Sequence, residues 1–537
     1  MSSLAAGLVE RVRAWIEDDP DPRCRAELAA LLEAGDEAEL AGRFADRLRF
    51  GTAGLRGPLR AGPMGMNRAV VGRAAAGLAH FLTTQGLTGP VVIGYDARHG
   101  SATFARDTAE IVAGAGLSAQ VLPRALPTPV LAFAVRELDA SAGVMVTASH
   151  NPPRDNGYKV YLGGAGVGRG AQIVPPADAD IEAAIAAVDR LVDVPRSADW
   201  SWLGEDIVTA YLDAVGGVVG PDGPRELRIA YTPLHGVGGA VLSAALQRAG
   251  FAAPLVVPEQ AEPDPDFPTV AFPNPEEPGT LDLALDLART AGADLVIAND
   301  PDADRCAAAC GGRLLTGDEL GVLLADQLIR RGIRGRFATT IVSSSQLGAL
   351  CAAHELPYTE TLTGFKWIVR AGEDLVYGYE EALGYAAAPS VVRDKDGISA
   401  ALLIAELAAA LRRQGQTLLD RLDEISAEHG VHVTAQVSLR VEDLSRITRL
   451  MRQLRADPPS RLLDQPVSTV DDLAPAADVL RITADGVRVV IRPSGTEPKL
   501  KAYLQVVEPV TDSVASAREV AQAKLDRLRA ETARLLN

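Results

Sequence analysis

Short apolar runs, each closed by a small polar loop and followed by an Ala/Leu-rich helical pattern, recur along this chain and restrict its fold more than any other feature. Val91-Val92-Ile93-Gly94-Tyr95-Asp96, Leu227-Arg228-Ile229-Ala230-Tyr231-Thr232 and Leu295-Val296-Ile297-Ala298-Asn299-Asp300 are three of them, and Thr339-Thr340-Ile341-Val342-Ser343-Ser344-Ser345 is a fourth. Strand–loop–helix alternation gives α/β layers with mostly parallel sheets, because parallel strands need a crossover helix between them. The spacing predicts three similar α/β units in series, without an obvious residue-level repeat. Gly216 to Pro224 reads as a linker, and the Pro-rich stretch Glu259–Pro278 as a long loop within the second unit. After Gly430 the texture changes. Val431–Leu439 and Val487–Ile491 alternate like strands, and Asp512–Leu536 is a long helical pattern with Asp512 as its expected N-cap. A separate α+β C-terminal domain is therefore expected. At 537 residues the chain exceeds what one core serves, so two to four domains are expected.

A formal charge of −17 argues against a nucleic-acid or anionic-membrane surface, since both need basic patches. It leaves room for a small anionic substrate, which needs only a local cluster of Arg and Lys. Cys24, Cys306, Cys310 and Cys351 form no CxxC pair, so neither a zinc knuckle nor a disulfide framework is indicated, and a cytoplasmic location is expected. Cys306 and Cys310 read as buried small residues one helical turn apart. His80, His354, His429 and His432 read as surface or packing residues. Met1 to Arg49 is acidic and amphipathic, the pattern of helices that cap a core, with no apolar leader segment. The best candidate for a membrane span, Ala400–Leu411, is interrupted by Glu406.

Four loops carry groups that can do chemistry. Thr147-Ala148-Ser149-His150-Asn151-Pro152 follows the apolar run Ala142–Val146, which puts Ser149 and its neighbour His150 at a carboxyl sheet edge, where ligands bind in open α/β sheets. Ser149 is a candidate nucleophile. Asn299-Asp300-Pro301-Asp302-Ala303-Asp304-Arg305 sets three carboxylates at alternate positions after a strand; wrapped round a cation they suit Mg²⁺, and the plainer alternative is a solvated acidic turn. An EF-hand is excluded, because Arg305 stands where its loop needs Gly and Gly311 where it needs Glu. Arg492-Pro493-Ser494-Gly495-Thr496-Glu497-Pro498 can cradle a phosphate or simply turn a hairpin. Gly378–Tyr385 reads as a flexible loop whose Glu380 and Glu381 could accept from sugar hydroxyls, and Lys395 follows as a phosphate partner or proton carrier. Phe50–Gly57 is Gly-rich and contains Arg56 but lacks the Gly-Lys-Ser/Thr of a P-loop.

In order and wording these four loops resemble the α-D-phosphohexomutase superfamily, the phosphoglucomutase and phosphomannomutase enzymes, over most of the chain from about Phe50 to Tyr503. Tyr231-Thr232-Pro233-Leu234-His235-Gly236 and the long N-terminal extension resemble the branch that also contains phosphopentomutases. The resemblance implies three α/β domains and a C-terminal domain of the TATA-box-binding-protein type around a central cleft. The expected division is 1–215, with the N-terminal extension and the phosphoserine loop; 216–312, with the metal loop; 313–430, with the sugar loop; and 431–537, with the phosphate cradle. It further implies that Ser149 carries a phosphoryl group and that Asp300, Asp302 and Asp304, with the Ser149 phosphate, hold Mg²⁺. Glu380 corresponds to the sugar-hydroxyl ligand. Arg492, Ser494, Gly495 and Thr496 correspond to the loop holding the other phosphate. Arg56, His150, Lys159, Arg305 and Lys395 match further active-site positions. Ala382 departs from the Ser that many hexose-specific members carry there, which bears on the exact sugar.

The reaction implied is a mutase exchange between hexose 1-phosphate and hexose 6-phosphate, with a sugar bisphosphate as intermediate and activator. A phosphopentomutase is the alternative. A phosphatase is disfavoured because the distal cradle would serve retention of a second phosphate, and a non-catalytic sugar-phosphate binder because Ser149 and the aspartates are all present.

Overall fold

The computed structural model describes residues 6–441, 443–494 and 499–536. The first sheet is built from β1 (Leu55–Pro58), β2 (Val91–Tyr95), β3 (Ala119–Val121), β4 (Ala142–Val146), β5 (Asp155–Leu162), β6 (Ala171–Gln172) and β7 (Ser201–Trp202), in the order β1-β5-β4-β2-β3-β7 with β6 beside β5. Strands β4, β2, β3 and the edge strand β7 are parallel, while β5 runs antiparallel to β4 and to the other edge strand, β1. The arrangement follows from composition. Every residue of β4 is apolar or glycine and buried, as a strand covered on both faces requires. The helices Arg68–Thr84, Ser101–Gly114 and Thr128–Glu137 supply the connections; Asn67 caps the first by accepting from the Val70 amide at 3.0 Å.

The second sheet contains β8 (Ile229–Thr232), β9 (Leu255–Val256), β10 (Leu295–Ala298), β11 (Ala307–Cys310) and β12 (Arg313–Leu314), in the order β12-β11-β10-β8-β9, parallel from β10 to β9. The third contains β13 (Arg336–Thr340), β14 (Tyr358–Thr361), β15 (Leu375–Glu380) and β16 (Gly384–Ala386), with β13 and β14 parallel. The fourth is fully antiparallel: β17 (Val431–Arg440), β18 (Arg461–Leu462), β19 (Gln465–Asp472), β20 (Leu480–Ala484), β21 (Val487–Pro493) and β22 (Lys499–Glu508), in the order β17-β22-β21-β20-β19-β18. Ile447, Met451, Ala521, Leu525 and Leu528, from two helices, share its core. Three α/β layers and a C-terminal α+β domain are thus present.

The chain forms two compact units. The first comprises the described residues through Leu315 with Gly372–Tyr377 and Gly384–Ala410; the second comprises Thr316–Ala371, Gly378–Leu383 and the described residues from Leu411. In the first, three N-terminal helices (Ala6–Asp18, Pro22–Ala34, Glu37–Arg43) gather Leu8, Val12, Leu28, Leu40 and Phe44 into a small core, and Trp15 also packs on the core of the first sheet. Glu406 lies buried in the helix Gly397–Arg413 and accepts from the Gly220 amide. No described helix is long and apolar enough to cross a membrane.

Four expectations are corrected. The run from Thr339 is strand only to Thr340; Ile341 and Val342 are apolar because they pack against Val479, Val490 and Tyr503. The C-terminal helix starts at Val514, and its cap is Ser513, whose hydroxyl accepts from the Ser516 amide at 3.1 Å, rather than Asp512. Cys306 and Cys310 are both buried, but at the start and end of an extended segment and strand rather than on a helix. Glu380 ends strand β15, so the 378–385 segment is a strand end, a short turn and the next strand rather than a flexible loop.

The Gly-rich segment before β1 has a steric origin. Gly54 has φ +74°, and a Cβ there would lie 1.8 Å from the Tyr158 carbonyl oxygen. Gly54→Ala is expected to lower the calorimetric melting temperature by roughly 4 °C or more, since both strain and overlap are introduced. Gly7→Ala, in a helix with nothing within 4 Å of the new Cβ, is the control and should leave melting unchanged or slightly raised.

Candidate active site

The Ser149 loop leaves the carboxyl end of β4, and the Asp300–Arg305 loop leaves the carboxyl end of β10. The first unit brings them together. Ser149 is 3% exposed with φ +50°, and its Oγ donates to Asp300 Oδ2 at 2.6 Å. His150 Nδ1 lies 3.1 Å from the same Oγ. Asp300, Asp302 and Asp304 are wholly buried, each with a carboxylate oxygen within 4.8 Å of the others. Lys159, on β5, donates to Asp302 at 2.7 Å and Asp304 at 2.9 Å; Lys395 stands 3.3 Å from Asp304. The Arg305 amide donates to Asp300 at 3.1 Å while its side chain meets Glu276 at 3.3 Å. Arg56, on the edge strand, donates to the Asn151 side chain at 3.0 Å.

These charges set one another's ionisation. Burial, then the neighbouring Asp302 and Asp304, push the Asp300 carboxyl up. Burial also opposes ionisation of Asp304, but Lys159, Lys395 and Arg305 outweigh it and hold Asp304 well below the usual carboxylate range. Burial works against the Lys159 charge too, and Asp302 and Asp304 overcome it. The His150 ring is held well below its ordinary value by burial and then by the positive charges of Arg305 and Arg56, so it is neutral at pH 7. The buried Oδ1 atoms of Asp302 and Asp304 have no hydrogen-bond partner. Buried carboxylate oxygens are rarely left so, and three hard oxygen donors this close fit a divalent cation such as Mg²⁺.

The second unit holds the other expected site residues. Glu380 and Glu381 end β15 and begin the following turn; Arg492 lies on β21, with its guanidinium bonded to the Tyr503 hydroxyl. Tyr503 is also close enough to feel the charges of both glutamates, so one side chain relates Arg492 to the turn that carries Glu380 and Glu381. The Ser494 amide donates to the Lys499 carbonyl at 2.8 Å, and Gly495 and Thr496 lie outside the described residues. His80 and His354 are exposed, and His432 accepts from Gln505 at 3.0 Å in a packing role.

Profiles of the phosphoglucomutase/phosphomannomutase family match most of the chain: α/β/α domain I over 47–191, domain II over 209–312, domain III over 316–428 and the C-terminal domain over 439–523. The chain belongs to this family. Among its relatives, a Haemophilus influenzae protein named "Probable phosphomannomutase" is 47% identical over 454 residues, 82% of this chain and 93% of that protein. A Schizosaccharomyces pombe protein named "Probable phosphoribomutase" is 34% identical and covers 96% of this chain and 97% of its own. A Staphylococcus aureus phosphoglucomutase is 33% identical over 88% of this chain and 92% of its own. Among solved structures, a Thermus thermophilus protein assigned as a phosphomannomutase superposes with a TM-score of 0.72 at 27% identity, covering 91% of this chain and 99% of that one.

Several residues around this phosphomutase-family site are invisible in the motifs. Thr128 donates to Asp302 at 2.6 Å. The Lys395 loop is pinned on both sides: Tyr161 donates to Asp394 at 2.6 Å and Tyr211 to Asp396 at 2.9 Å. Alternation of Asp394, Lys395 and Asp396 in a single loop was the available signal. Asp318, buried, collects the Ser344 amide at 2.7 Å and the hydroxyls of Thr434 at 2.9 Å and Tyr379 at 3.1 Å.

Glu381, expected from the sequence as an acceptor for sugar hydroxyls, is instead engaged by the protein itself. It accepts from Ser343 at 2.8 Å and Thr340 at 3.1 Å, and burial, then the charges of Glu380 and Asp318, push it up to about 7. A carboxyl raised in the folded state destabilises the fold while ionised, above pH 7, and that effect is relieved as pH falls from about 7 toward the unfolded value near 4.3. Glu381→Gln is therefore expected to raise the melting temperature by about 2 °C or more at pH 8. By pH 5 the gain should shrink toward zero; an equal gain at both pH values would contradict the raised carboxyl.

Proposed function

We propose that this chain is a phosphosugar mutase that interconverts hexose 1-phosphate and hexose 6-phosphate, of glucose, mannose or both, through a phosphoserine at Ser149 and a sugar bisphosphate. The observation that carries the reading is the Ser149 hydroxyl, 2.6 Å from Asp300 within a triad of buried carboxylates. A serine ester is stable, so its phosphoryl group moves only when charge is stabilised and the acceptor is held in line. Asp300, Asp302 and Asp304 would hold Mg²⁺ with an oxygen of the Ser149 phosphate, and the ion would offset charge on the transferring oxygens.

The chain's own residues do the rest. Lys159, kept charged between Asp302 and Asp304, and Arg305 orient the phosphoryl group on Ser149. Arg492 and Ser494, with Gly495 and Thr496 of the same loop, bind the phosphate that is not being transferred, and Glu380 accepts from the sugar hydroxyls. In the first half-reaction the P–O bond to Ser149 breaks and leaves its electron pair on Oγ, a P–O bond to the free sugar hydroxyl forms, and that hydroxyl's proton passes by way of a neighbouring base to Ser149 Oγ. Neutral His150, 3.1 Å from Oγ, is suited to carry the proton, with Lys395 as the other candidate. The bisphosphate then reverses end for end, and Ser149 takes back the other phosphoryl group. Arg56 supports the loop through Asn151.

The same reading divides the chain into domains 1–215, 216–312, 313–430 and 431–537. A net charge of −17 speaks against nucleic acid or an anionic membrane as partner and leaves room for a small anionic substrate at a local cluster of Arg and Lys, and four free cysteines suit the cytoplasm. A pentose phosphate reading is supported by relatives such as the Mus musculus phosphopentomutase, 32% identical over 95% of this chain, and by Ala382. The higher identity of the Haemophilus influenzae relative favours hexose. One kinetic panel separates them: wild type and Ser149→Ala on glucose 1-phosphate, mannose 1-phosphate and ribose 1-phosphate, with bisphosphate activator. Wild type should give its highest kcat/KM on a hexose, and Ser149→Ala should lose about a thousandfold in kcat or more on all three. A ribose preference would shift the substrate assignment, and an active Ser149→Ala enzyme would remove the nucleophile.

A further inference from the structure

Arg98 stands three residues beyond β2 and is 4% exposed, an unusual place for a guanidinium. The backbone around it explains the burial. Its Nη2 donates to the carbonyls of Ser149 and Asn151, both at 2.6 Å, and its Nη1 to those of Pro152 at 2.8 Å and Asp155 at 3.2 Å. All four acceptors lie along the turn that holds Ser149 in its left-handed conformation. Asp96, 3.4 Å from Nε, balances the charge. A planar fork bonded to four carbonyls fixes the curvature of a loop as no point-charge ammonium would.

One face of this fork is covered by the Phe267 ring, whose centre is 4.9 Å from the guanidinium carbon. Phe267 comes from the Pro-rich segment between β9 and β10, is 2% exposed and has φ +46°, a conformation that bulky residues avoid. The segment is held there by Asp266 on His99 at 2.9 Å and by Thr269 on His235 at 2.8 Å. Strained backbone persists only where its surroundings over-determine it, and here they direct one aromatic face at one buried cation.

We propose that Arg98 and Phe267 are positioning residues for the phosphoryl transfer: Arg98 clamps the Ser149 loop from within, and Phe267 keeps the clamp dry and in plane. The proposal rests on the mutase reading, in which small displacements of Ser149 relative to Asp300 would be felt in turnover and hardly in sugar-phosphate binding.

The test uses the full-length enzyme with Mg²⁺ and bisphosphate activator. Phe267→Leu, Phe267→Ala and Arg98→Lys are each expected to lower kcat by about tenfold or more while KM for the sugar phosphate stays within about twofold. Phe267→Tyr, which keeps the ring face, should restore kcat. Should the alanine and lysine variants fail to fold, the leucine and tyrosine variants decide. Wild-type kcat in Phe267→Leu, or kcat and KM changing together in step with a lowered melting temperature, would overturn the positioning role. An active Ser149→Ala enzyme would instead overturn the mutase reading, whatever the Phe267 variants do.

Discussion

Lys159 donates to Asp302 and Asp304 from inside the first unit, and much of that unit's design follows from the need for this contact. Three carboxylates buried within 4.8 Å of one another repel strongly wherever water cannot screen them. Lys159, Lys395 and Arg305 supply the opposing charge, and each arrives from a different segment: β5, the loop before the helix Gly397–Arg413, and the aspartate loop itself. Removing one partner of such a buried set leaves an uncompensated charge, so fold and site constrain each other. The carboxylate oxygens still unpaired, on Asp302 and Asp304, are those a cation would take.

The second unit solves a different problem with similar means. Its polar residues form a continuous interior network in which Asp318 collects three donors and Arg488 pairs with Glu360 at 3.3 Å. Glu381 sits within this network at the start of the turn whose neighbour Glu380 is the expected sugar ligand. Its hydrogen bonds to Ser343 and Thr340 fix the turn against the end of β13. Glu380 is thereby presented from a rigid strand end, which would suit the proposed role of accepting from a sugar in two orientations.

Much of this was legible in the sequence because the strongest signals are contiguous. Apolar runs marked β2, β4, β8 and β10, and the polar residues directly after β4 and β10 are the ones that meet. What stayed hidden depends on partners distant in sequence. Lys159 and Asp302 are 143 residues apart, Tyr161 and Asp394 are 233, and no local pattern relates them. Ile341 and Val342 looked like strand because apolar character alone does not distinguish a ladder residue from one packed against Tyr503. Arg98 carries no signal of its own in the sequence, because its role needs the four carbonyls around it.

In the proposed mechanism Ser149 carries the phosphoryl group between the two half-reactions. Peptide mapping by mass spectrometry, after incubation of the purified enzyme with Mg²⁺ and a hexose bisphosphate, tests it most directly. A single stoichiometric phosphorylation is expected on the peptide containing Ser149, removed when excess hexose monophosphate is added. Phosphate on another residue, or none that turns over with substrate, would contradict it.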